Sequence, residues 1–121
     1  MDPPTLFDQE ALRRLKELDP KGENRLFERV AKAFEASVGR LMPQLDDAIR
    51  QQDQQGILHV AHTLKSSSAS IGALKLSHLC AEIETMIRRQ TGENLSTRLR
   101  ELPLEVERVL EGLRVLLEQQ P

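Results

Sequence analysis

The chain has 121 residues, 39% of them hydrophobic but only 2% aromatic, and a formal net charge of −2 at pH 7. This length allows one domain with one modest core of Leu, Ile, Val, Ala and Met, since Phe7, Phe27 and Phe34 are its only aromatic residues. The interspersed charges leave no broad basic surface for nucleic acid, no apolar run approaches the ~20 residues of a membrane span, and residues 1–20 lack the apolar core of a signal peptide.

Leu, Ala, Glu, Gln, Arg and Lys dominate and strand-favouring runs are absent, which predicts an all-α fold. Asp8 is placed to cap a first short helix, with Phe7 and Leu12 at the positions of a hydrophobic staple. Ala11, Leu15 and Leu18 form its apolar stripe, and Asp19-Pro20 ends it. So short a helix is expected to lie across something larger. A second helical segment is predicted from near Gly22 to about Gln52, burying Leu26, Val30, Phe34, Val38, Leu41, Leu45 and Ile49. Pro43 inside it is expected to kink the helix or split it near Gly39–Leu41. Asp53 is a candidate cap for the next helix.

The third helix, about 54–71, carries the most informative stretch of the chain. At about 100° per residue, Ile57, Val60, Ala61, Leu64, Ser68 and Ile71 fall on one stripe that can face a core. His62 falls roughly 140° from the centre of that stripe, with Lys65, Ser66 and Ala69 around it at i+3, i+4 and i+7. A face so low around an imidazole leaves it open to a large partner. Gly72 suits the left-handed residue that ends a helix. A fourth helix buries Leu76, Leu79, Cys80, Ile83 and Ile87 and stops near Thr91-Gly92. A fifth, from about Asn94 to Glu118, carries Leu95, Leu99, Leu102, Val106, Val109, Leu113 and Leu116 in a heptad-like pattern. Pro103 should bend it or begin its second half. Four long amphipathic segments with short connections fit an antiparallel up-down-up-down four-helix bundle, with the short N-terminal helix as an accessory. The whole chain, 1–121, reads as a single domain of this kind.

An exposed histidine is largely neutral near pH 7.5 and so presents a nucleophilic ring nitrogen. A phosphoryl group attached to His62 would add nearly two negative charges, which Lys65 one turn on can pair. The bland reading is a solvated histidine beside a lysine. Ser67 and Ser68 turn toward the bundle, where tight helix packing explains their size. His59 also points outward, but two imidazoles at i, i+3 without a carboxylate make a poor metal site, and no Glu-x-x-His occurs. His59 and His78 are read as solvated. The lone Cys80 has no disulfide partner and reads as a core thiol in a reducing compartment, so a soluble cytoplasmic protein is expected.

The run His62-Thr63-Leu64-Lys65-Ser66-Ser67-Ser68-Ala69-Ser70-Ile71-Gly72-Ala73 resembles the signature His-x-Leu-Lys-Gly-Ser-Ser-x-x-Leu-Gly-Ala of histidine-containing phosphotransfer (HPt) domains of bacterial two-component phosphorelays. Leu79-Cys80-Ala81-Glu82-Ile83-Glu84, Leu18-Asp19-Pro20 and Phe34-Glu35-Ala36-Ser37 are similar to other parts of that family. The resemblance implies that His62 is the phosphoacceptor and that Lys65 steadies the phosphoryl group. It implies no kinase activity and no cofactor of the chain's own, with Mg²⁺ on the partner. The partners implied are response-regulator receiver domains and a hybrid sensor kinase, met by a monomer through Leu58, His59, Ser66 and Ala69, with Ile57 and the outer face of the second helix as further docking surface. Ser66 stands where many members carry glycine. Glu84 aligns with a glutamine that some members place near the phosphoryl group. Beside the phosphoryl group its carboxylate would either repel that group or point away into solvent. Two other readings stay open: a non-catalytic adaptor that uses the same face, and dimerisation through the heptad face of the fifth helix.

Overall fold

A computed structural model describes residues 6–90 and 94–119. Among them the regular structure is helical: α1 (Gln9–Leu18), α2 (Leu26–Arg50), α3 (Gln54–Ser70), α4 (Leu74–Arg89) and α5 (Leu95–Glu118). Each helix from α2 to α5 packs on its neighbours in sequence, α2 also packs on α5, and α1 packs on α2. The core they enclose is aliphatic. Leu45, Leu64, Leu76, Ile83, Leu102 and Leu113 are each under 2% exposed, and burial of such a side chain contributes about 1.5–3 kcal/mol.

Local chemistry sets the helix ends. The Asp8 carboxylate accepts from the Ala11 N–H at 3.3 Å and caps α1. The Asp8 N–H donates to the Gly72 carbonyl at 2.7 Å, tying the start of α1 to the end of α3. Gly72 itself has φ +78°, and a Cβ there would meet the Ala11 Cβ at 2.9 Å, so both its backbone and its lack of a side chain are used. Asp53 caps α3 by accepting from the Gly56 N–H at 3.1 Å. α4 ends at Arg89, with Gln90 left-handed; the expected stop at Thr91-Gly92 lies outside the described residues.

Three expectations change, at the start of α2, at Ile49 and at Leu18, and two narrow, at Pro43 and Pro103. α2 begins at Leu26 rather than Gly22, because the Asp19 carboxylate reaches across the turn to the N–H groups of Asn24 and Leu26 at 3.3 and 3.0 Å. α2 is not split at Pro43: both Pro43 and Gly39, whose carbonyl loses its usual donor, are exposed, so water can take that carbonyl. α5 likewise runs unbroken through Pro103, which does not begin a separate second half. Ile49 is 38% exposed and Ala48 is buried in its stead. Steps of four residues overshoot a turn by about 40°, and the step from Leu45 to Ala48 brings the stripe back to the core. Leu18 is 73% exposed although it lies on the stripe of α1; periodicity names an apolar face, not what lies beneath it.

Candidate functional site

The six stripe positions, from Ile57 to Ile71 just past the end of α3, are all buried. That fixes the rotation of the helix and turns His62 outward, with 60% of its side chain exposed. His59, Ser66 and Ala69 are also exposed on α3, and Leu58 is half-buried. Ile57 is 5% exposed and cannot serve a partner as docking surface.

The turn beneath His62 is held tightly. The Ser68 hydroxyl donates to the Leu64 carbonyl at 2.6 Å, and the Ser77 hydroxyl of α4 donates to the Lys65 carbonyl at 3.1 Å. Ser67 and Ser70 donate to the carbonyls of Thr63 and Ser66. Ser68 is fully buried, as tight packing requires, while Ser67 is half-buried. Small side chains on α3 and a serine on α4 let the two backbones approach and fix the position of Lys65.

Glu84 on α4 organises the site. It is 5% exposed, so it does not point into solvent. Its Oε1 lies 2.8 Å from the Lys65 Nζ, and its Oε2 lies 3.4 Å from the His62 Nδ1. The structure thus brings His62, Lys65 and Glu84 together, and adds Arg88, whose guanidinium lies 3.3 Å from Oε2. Sequence reasoning missed Arg88. The signal was present, since Arg88 follows Glu84 at i+4 on the same face of α4. Burial alone pushes the Glu84 carboxyl up, but the contacts of Lys65 and His62 outweigh it and hold the group below its ordinary value.

This geometry changes the electrostatic reading of Glu84. The carboxylate faces the Nδ1 side of the ring, so Nε2 is the nitrogen left to a partner. With a proton on Nδ1 directed at Glu84, Nε2 carries the lone pair. A positive charge on the ring would then lie next to a carboxylate. The expected repulsion therefore gives way to a carboxylate placed where it favours charge on the ring.

Among the described residues, Cys80 and His78 offer no rival centre. Burial, reinforced by the nearby Glu84 charge and opposed by Lys65, pushes the Cys80 thiol up to about 12, which keeps it protonated and inert. His78 is exposed. Among the described residues no group of three or more His, Cys, Asp or Glu is placed to hold a metal ion, and no helix is long and apolar enough to cross a membrane.

Comparison with known proteins adds to this geometry. The family model of the Hpt domain matches residues 29–112, which include His62, Lys65, Glu84 and Arg88. The chain shares its fold with the crystal structure of histidine-containing phosphotransfer protein B (HptB) from Pseudomonas aeruginosa PAO1. The two are 22% identical with a TM-score of 0.76, covering 96% of this chain and 97% of that one. A search of curated proteins finds no match. With an open histidine on a small-residue helix face and a family model matched over more than half its length, the chain belongs to the Hpt-domain family, the histidine phosphotransfer proteins of two-component phosphorelays.

Proposed function

We propose that the protein is a phosphorelay carrier that accepts a phosphoryl group on His62 Nε2 from the aspartyl-phosphate of one receiver domain and passes it to the aspartate of another. The observation that carries this reading is the placement of His62: open to solvent on one side, with Nδ1 facing the buried Glu84 at 3.4 Å on the other. In the forward step the Nε2 lone pair attacks phosphorus in line with the leaving carboxylate. The N–P bond forms, the P–O bond to the receiver aspartate breaks, and that aspartate keeps the electron pair. Nδ1 holds its proton toward Glu84 throughout, and the positive ring is stabilised by the carboxylate. Lys65, one turn along α3, pairs the phosphoryl oxygens. Reversal of the step discharges the group onto the next aspartate.

In this reading the chain has no kinase activity and no cofactor of its own, and Mg²⁺ comes with the receiver domain. It acts as a monomer in the cytoplasm, as an antiparallel up-down-up-down bundle of α2–α5 with α1 as an accessory. A hybrid sensor kinase stands upstream. Leu58, His59, Ser66 and Ala69 form the docking face, where low side chains let a receiver backbone come close. Ser66 in the usual glycine position tunes partner preference without blocking approach.

The test is to incubate the protein with a radiolabelled phospho-receiver and follow the label. Transfer of acid-labile, base-stable label that disappears in His62→Gln is the expected result. Label that persists unchanged in that variant would refute the assignment to His62, and an absence of transfer from every receiver would favour the adaptor reading.

A further inference from the structure

A buried carboxylate beside a phosphoryl group creates a difficulty that Lys65 cannot resolve alone. Before transfer, Lys65 lies 2.8 Å from Glu84 Oε1, and this oxygen has no other partner among the described residues. After transfer, nearly two further negative charges sit one helical turn away. Lys65 and the positive ring then face three negative charges, and any movement of Lys65 toward the phosphoryl oxygens abandons an oxygen that is already out of water. A buried carboxylate stripped of its cation is costly.

Arg88 supplies what is missing. It lies one turn beyond Glu84 on α4, with 61% of its side chain exposed and its guanidinium 3.3 Å from Oε2. Glutamate followed by arginine at i+4 is the favourable order on a helix. The guanidinium is planar and can engage both carboxylate oxygens at once. Its exposure leaves it free to slide from one contact to two. We propose that Arg88 is a positioning residue of this site: it takes over Glu84 when the phosphoryl group draws Lys65 away, so that Glu84 can stay ionised against Nδ1 while Lys65 serves the phosphate. Arg88 acts through Glu84 and does not touch the reacting atoms. The inference rests on His62 being the phosphoacceptor.

The logic predicts conditional behaviour. Where position 84 carries no charge, Lys65 is not held back and Arg88 has nothing to neutralise. The experiment compares wild type, Glu84→Gln, Arg88→Gln, the double variant and Arg88→Lys, each loaded from a labelled phospho-receiver at increasing receiver concentrations. Arg88→Gln should lower the limiting transfer rate roughly twofold to fivefold and shorten the phosphohistidine lifetime. The receiver concentration at half-saturation should not change. In the Glu84→Gln background the same substitution should change neither quantity, and Arg88→Lys, which keeps the charge but not the two-pronged contact, should restore only part of the rate. An equal loss in both backgrounds, a loss confined to half-saturation, or no loss at all would overturn the proposal. Wild-type transfer in the same experiment separates that failure from failure of the relay reading, because a wild-type protein that takes no label overturns both.

Discussion

Two buried glutamates sit on neighbouring helices of this protein in similar company. Glu84 on α4 is contacted by Lys65 of α3 and by Arg88 one turn along its own helix. Glu105 on α5 is 3% exposed and contacted by Lys75 of α4 at 3.7 Å and by Arg108 of its own helix at 3.0 Å. Each is a carboxylate drawn out of water and offset by a lysine from the preceding helix and an arginine at i+3 or i+4. The difference is one ring nitrogen. Glu84 has His62 against Oε2, whereas the Oε2 of Glu105 has no partner among the described residues. A buried, paired carboxylate is therefore not by itself a mark of function. In the proposed reading it becomes one where it bears on an exposed histidine.

The surroundings sharpen the contrast. An open pocket of about 690 Å³ is lined by Lys75, Glu105 and Arg108, and by none of His62, Lys65 and Glu84. Small-molecule sites are concave, but a phosphoryl group carried by another protein arrives on a surface of its own. A site for such a donor needs low side chains around the nucleophile rather than a cavity, and α3 provides them with Ser66 and Ala69.

The largest expected difference between the two regions comes from their lysines. Lys65→Ala removes a cation from both Glu84 and the phosphoryl group, and loss of a charged hydrogen bond of about 1.5–3 kcal/mol should slow transfer by roughly tenfold or more. Lys75→Ala should leave the transfer rate unchanged. Rates measured with one phospho-receiver decide the matter, and equal rates for the two variants would erase the distinction.

A smaller effect separates the same regions by pH. The Glu84 carboxyl is held below the ordinary value of 4.5 by Lys65 and His62 against the cost of its burial. A carboxyl whose folded value is depressed contributes stability that is present above the unfolded value and is lost as pH falls through the folded one. The loss of denaturant midpoint caused by Glu84→Gln should be full at pH 7 and should shrink as pH falls below about 4.5. A difference between wild type and variant that stays constant through that range would contradict the coupling of Glu84 to its two partners.

What could be read in advance divides along the same physical line. Features set by neighbours in sequence were legible. The α3 stripe needed only the helical period, Asp8 only the reach of a carboxylate to a first-turn N–H, and Gly72 only the left-handed end of a helix. Features set by contact between helices were not. Ile49 and Leu18 lie on apolar faces, yet their burial depends on what covers them. The start of α2 is set by Asp19 from across a turn, which no local pattern displays. At the site, the outward placement of His62 and Lys65 followed from α3 alone, and the family resemblance drew attention to position 84. The side of the imidazole that Glu84 would face depended on the packing of α3 on α4. Arg88 was hidden for the same reason, since its value becomes visible only when Glu84 is seen to be buried.

The central claim is that Glu84 holds Nδ1 and leaves Nε2 to receive the phosphoryl group. Its most direct test is a long-range proton–nitrogen correlation spectrum of the His62 ring in nitrogen-labelled protein, recorded before and after loading from a phospho-receiver. The account predicts a neutral ring protonated on Nδ1 before loading, and phosphorus bonded to Nε2 with the Nδ1 proton retained afterwards. Phosphorus on Nδ1, or a His62 ring unchanged by loading while label enters the protein, would contradict it.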